Sequence, residues 1–176
     1  MKNLLQSLLL FFLFISFTVS SSIDENEKFL SFLEQEWQWE LAQNPVYATK
    51  MGVKGFETQW RDDSLKGIKL REAHIQNSFV ELKKFDLNSL NKTNQLNLRL
   101  YKQLTQTALN ISKYNRYLFP FNHRGGVQLA HEAVESLPLN TAEDYRFWIE
   151  RLKNLDKRIE QTISIARLGL ENNYKA

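Results

Sequence analysis

The chain has 176 residues, with 23 Lys and Arg against 20 Asp and Glu, three His and no Cys. A net charge of +3 is too near neutral for a nucleic-acid surface. The missing thiols exclude disulfides, thiolate metal sites, thiol catalysis and an N-terminal lipid anchor, so stability must come from packing alone.

Lys2 precedes an apolar run from Leu4 to Val19, and Thr18 to Ser22 then supplies small residues. This pattern predicts a secretory signal peptide over residues 1–22, cleaved after Ser20, Ser21 or Ser22, with Ser21 favoured because Val19 then stands at −3. The apolar core falls slightly short of the roughly 20 residues that span a bilayer. The expected location is therefore the periplasm or the extracellular cell envelope, with no stable membrane span after cleavage. Removing residues 1–22 removes only Lys2, leaving 22 basic against 20 acidic groups, and residues 23–176 suit one domain.

Past the signal, apolar residues recur at helical spacing, which predicts an all-α fold, an antiparallel array of about six helices. The first helix is expected over Asp24 to Gln43 with Phe29, Phe32, Leu33, Trp37 and Leu41 on one face. Asn44-Pro45 breaks it, and a short second helix opens on Pro45 and closes at Gly52 with a left-handed cap. Asp62, Asp63 and Ser64 offer a cap for a third helix, with Leu65, Ile68, Ile75, Phe79 and Leu82 inward and Arg71 and Glu72 solvated.

A turn over Asp86 to Lys92 leads to a fourth helix capped by Thr93, with Leu96, Leu100, Leu104, Ala108 and Ile111 expected inside. Tyr114 to Gly126 is the least regular stretch and the first place to look for a binding surface. A fifth helix is expected over Val127 to Ser136. The sixth starts at a Thr141–Asp144 capping box, carries Trp148, Leu152, Leu155, Ile159, Ile163, Ala166 and Leu170 as a buried stripe, and runs on without a clear stop.

Candidate chemistry is sparse. His131-Glu132-Ala133-Val134-Glu135 has Glu where a zinc-protease helix carries its second His, and a catalytic zinc needs three protein ligands. No metal ligand and no catalytic residue is therefore assigned, and no cofactor is expected within this chain. His74 reads as a surface or boundary residue, and the pairs Asp62-Asp63 and Glu34-Glu36 as solvated or capping carboxylates. Trp37 and Trp39 lie two apart, so one is expected in the core and the other over a groove or adjoining domain. The strongest candidate for substrate binding is Asn122, His123, Arg124, Gly125 and Gly126, where a helix mouth could receive a carboxylate. The competing explanation is that the glycines only permit a sharp turn.

Four segments together carry a resemblance. They are Trp37 to Gly52, with Asn44-Pro45-x-x-Ala48-Thr49-x-x-Gly52; Asp63-Ser64; Asn122 to Leu129; and Leu137 to Arg151, with Pro138-x-x-Thr141-x-x-Asp144-Tyr145 followed by Arg151-Leu152. In order and spacing these resemble the N-terminal part of the bacterial family known as domain of unknown function 885. The resemblance implies a helical protein related to gluzincin-type metallopeptidases, with zinc held by an H-E-x-x-H helix in a C-terminal half that this sequence does not contain. It further implies that these residues are a truncated N-terminal portion: one wall of a substrate cleft, inactive alone, for a peptide or small carboxylate-bearing substrate. A self-contained secreted helical binding protein without catalysis is the alternative.

Overall fold

The computed structural model describes residues 24–121, 125–135 and 137–174, so the expected signal peptide over residues 1–22 lies outside the described residues. The fold is all-α: α1 is Glu25–Gln43, α2 Pro45–Lys50, α3 Leu65–Leu82, α4 Lys92–Ser112, α5 Glu132–Glu135, α6 Ala142–Lys153 and α7 Leu155–Glu171. Short 3-10 turns at Leu87–Ser89, Arg116–Leu118 and Val127–Leu129 lie between them. Among the described residues no helix is long and apolar enough to cross a membrane.

Helices α3 and α4 form a hairpin, and α1 lies along it. Phe29 of α1, Leu82 of α3, Leu90 of the turn and Leu98 of α4 make the buried centre, flanked by Phe32, Leu33, Phe85, Leu87 and Tyr101. Phe85 meets Phe29 edge-on at 5.2 Å between centroids, the geometry that ring quadrupoles favour. A second packing group joins α7 to the Arg116–Leu118 turn. There Gly169 is buried, and a Cβ at that position would be driven into the Leu118 carbonyl oxygen.

Helix ends follow local chemistry. Ser64 caps α3 by accepting from the Gly67 N–H. At α6 the capping box is complete, with Asp144 N–H on Thr141 Oγ1 at 3.2 Å and Thr141 N–H on Asp144 Oδ2 at 2.8 Å. Helix α2 closes with Gly52 at φ 78, its N–H on Thr49 and the Val53 N–H on Ala48. This is the paired bonding of a Schellman motif.

Several expectations are overturned. Asn91, not Thr93, caps α4, since its side chain accepts from the Asn94 N–H and the helix has begun by Lys92. The last helix is two, broken at Asn154, and α7 does stop: Asn173 at φ 61 closes it with Asn173 N–H on Leu170 and Tyr174 N–H on Gly169. The helix expected over Val127 to Ser136 is a 3-10 turn plus the four residues of α5; Ser136 lies outside the described residues.

The faces of α4 and α7 are also displaced from expectation. Asn94, Leu98 and Thr105 of α4 are buried, whereas Leu96, Leu100, Leu104 and Ile111 are exposed. In α6 and α7 the buried positions are Arg151, Thr162, Ile165 and Gly169, while Leu152, Ile159 and Leu170 are exposed. Small and polar side chains permit the close helix approaches, so the apolar stripes point away. Arg71, expected in solvent, is buried and donates from Nη1 to the Asp62 carbonyl at 2.8 Å.

Candidate functional site

Five segments converge on a cavity of about 550 Å³. Arg61 and Asp63 come from the loop before α3, Arg71 from α3, Tyr114, Arg116 and Tyr117 from the turn after α4, Gly125 and Gly126 from the following loop, and Arg158 from α7. Among the described residues, four arginines face one aspartate in its charged walls. Arg158 Nε donates to Asp63 Oδ2 at 2.8 Å, and Arg61 Nε stands 3.6 Å from Asp63 Oδ1. One carboxylate is thus shared between two guanidinium groups.

The surplus is positive, and its effect shows at Arg71. Burial first, and then the like charge of Arg61, pull its pKa below the usual guanidinium value. The like-charge effect disfavours a further cation and favours an anion in the cavity, whereas burial penalises charge of either sign. Planar guanidinium forks suit carboxylates, which accept two parallel N–H bonds. The aromatic walls bring apolar surface beside that charge, the usual makeup of a small-molecule site.

Asn122, His123 and Arg124 lie outside the described residues. Gly125 and Gly126 line the cavity. Gly126 has φ 133, and a Cβ there would lie 2.9 Å from the Pro120 carbonyl oxygen, so the turn itself requires glycine. The single 3-10 turn that follows does not present the row of free N–H groups of a full helix mouth. Any anion here is therefore met by side chains. Sequence reasoning missed those arginines because Arg61, Arg71, Arg116 and Arg158 share no spacing rule.

The paired carboxylates also have specific partners. Asp62 Oδ1 accepts from the Ser64 N–H and from Gln161 Nε2, tying the loop to α7. Its pKa lies below the usual value: burial opposes the shift, and hydrogen bonds from Ser64 with the charges of Arg71 and Lys157 outweigh it. His131 is exposed, with Nδ1 3.2 Å from the Gln128 carbonyl. Among the described residues no three of His, Cys, Asp and Glu gather closely enough to hold a metal ion. These side chains do not fit a zinc centre.

A second buried cation is structural. Arg151 is fully buried on α6; its Nη2 donates to Thr49 Oγ1 at 2.8 Å and to the Phe56 carbonyl at 2.6 Å. The Arg151 carbonyl in turn accepts from Trp60 Nε1 at 2.7 Å. Among the described residues the Arg151 Nε and Nη1 have no hydrogen-bond partner, and burial depresses the Arg151 pKa to about 10. The Asn-Pro segment of α2 and the Arg-Leu pair of α6 are thereby brought together.

The scaffold is all-α, and its arginine-lined, aromatic-walled cavity carries a surplus of positive side chains among the described residues. Residues 45–176 match the family model described as "Bacterial protein of unknown function (DUF885)". The chain belongs to that family. No curated protein matches the chain.

Proposed function

We propose that this chain is the N-terminal, cleft-forming part of an exported metallopeptidase-like hydrolase, and that its arginine-lined cavity holds the carboxylate of a peptide or small acidic substrate. The observation that carries this reading is the convergence of Arg61, Arg71, Arg116 and Arg158 around one 550 Å³ cavity with, among the described residues, a single aspartate. Guanidinium groups bind and orient a carboxylate; they do not activate water at neutral pH, being protonated throughout. The hydrolytic step, with zinc as its expected metal, belongs to residues beyond this sequence. Export rests on the signal-like residues 1–22.

The test is to incubate the purified chain with peptides and zinc, following both binding and cleavage. Binding of free-carboxylate peptides without turnover is the expected result. Zinc-dependent hydrolysis by this chain alone would overturn the assignment of chemistry to residues elsewhere.

A further inference from the structure

A different groove, of about 370 Å³, lies between α1, α3 and α4. Its polar centre is Glu36, whose side chain is only 13% exposed. The carboxylate accepts from the Ser78 hydroxyl at 2.9 Å and from the Tyr101 hydroxyl at 2.7 Å, and His74 Nε2 lies 3.1 Å away. Burial, followed by the bond to Glu36, raises the Tyr101 pKa, so this phenol stays a neutral donor.

The Glu36 carboxylate has spare acceptor capacity. Among the described residues, Oε2 is approached by Ser78, His74 and Tyr101, whereas Oε1 is approached only by Ser78. Ser78 has one proton to divide between both oxygens, so Oε1 keeps at least one open lone-pair direction. Among the described residues no Lys or Arg forms an ion pair with Glu36.

The surroundings are aromatic and apolar. Trp37 is 38% exposed and meets Tyr47 edge-on, while Trp39 stacks on His74 with centroids 3.6 Å apart. Leu33, Ile75, Leu104 and Ala108 complete the wall. An anion would meet Glu36 and Glu40. A neutral apolar molecule would desolvate the carboxylate without replacing its water. A cation on an apolar body satisfies both the charge and the rings.

We propose that this groove binds an organic ammonium ion, with Glu36 as its counter-ion and Trp37 and Tyr101 as its aromatic walls. The proposal is independent of the carboxylate cavity, because no side chain lines both.

The probe is benzylammonium, titrated against tryptophan fluorescence and ligand NMR, with benzyl alcohol and benzoate as neutral and anionic analogues. Saturable binding of benzylammonium is expected, at least about tenfold tighter than that of benzyl alcohol, with benzoate weakest. Glu36→Gln should remove the preference for the ammonium while leaving benzyl alcohol binding unchanged or stronger, a pattern that unfolding cannot produce. Ala108→Phe fills the groove from a position that gives Glu36 no hydrogen bond, and it should abolish binding of both; this variant decides if the Gln variant does not fold. Equal affinities for ammonium and alcohol, absence of saturable ammonium binding, or unchanged ammonium binding in either folded variant would overturn the proposal.

Discussion

Arg151 Nη2 donates to Thr49 Oγ1 at 2.8 Å, joining helices α6 and α2 across 102 residues of sequence. Both groups are buried; Nη2 also donates to the Phe56 carbonyl, and the Thr49 hydroxyl donates to the Pro45 carbonyl at 2.9 Å. Replacing Thr49 by Val keeps the volume and removes the acceptor, which should cost about 1–3 kcal/mol in urea unfolding. Arg151→Ala should cost more, about 3–5 kcal/mol, because it also opens a cavity. Arg151→Met should be milder than Ala, since a hydrophobe of similar length avoids the desolvated charge. Equal losses for Met and Ala would mean that the hydrogen bonds, and not packing, dominate this site.

Gly169 supplies a test of the α7 packing. A methyl group there would strike the Leu118 carbonyl, so Gly169→Ala should destabilise the chain by about 1–3 kcal/mol despite alanine's better helix propensity. In a helix free of neighbours the same change should stabilise. A gain in melting temperature would show that α7 does not approach the Arg116–Leu118 turn.

The register of α4 can be checked by a pair of substitutions. Leu98 is fully buried, and truncation to Ala should cost about 2–5 kcal/mol. Leu100 is 53% exposed, and Leu100→Gln should fall within about 0.5 kcal/mol of the parent. The reverse order of effects would place the leucine stripe inside.

Acid should loosen the start of α6. Hydrogen bonding to the Thr141 side chain first, and then to the Thr141 and Asn140 N–H groups, lowers the Asp144 pKa below its ordinary 3.8. A carboxyl with a depressed folded-state pKa contributes stability above its unfolded value and loses it as pH falls through the folded value. Asp144→Asn should therefore lower the melting temperature at neutral pH, and the gap should narrow progressively below pH 3.8. A gap that stays constant down to strongly acid pH would rule out this contribution.

Element positions were well marked in the sequence, because caps and breakers act locally. Ser64, Pro45, Gly52 and the Thr141–Asp144 box all operate within a few residues of where they stand. Helix phase was not. Hydrophobic spacing identifies a distinctive face without saying what it meets, and in α4 and α7 the neighbouring elements pack against Asn94, Thr105, Thr162 and Gly169 instead.

The same limit applies to the sites. Gly125 and Gly126 were visible as a turn, but the arginines around them come from segments up to 97 residues apart, as Arg61 and Arg158 illustrate. Glu36 read as one of two solvated carboxylates, and His74 as a boundary residue. Their partners Ser78 and Tyr101 sit on other turns and another helix. Trp37 and Trp39 were expected to separate between core and groove; both line the groove. Nothing in local spacing encodes such meetings.

The most direct test of the central claim is the affinity of this chain for a short peptide with a free C-terminal carboxylate, measured by calorimetry beside the same peptide as its amide, and repeated with Arg116→Gln. Arg116 is exposed at the cavity, so its loss should leave the fold intact. The account predicts that the carboxylate form binds about tenfold or more tightly than the amide, and that this preference shrinks in the variant and with added salt. Equal binding of acid and amide by the parent chain, or a preference untouched by Arg116→Gln, would contradict it.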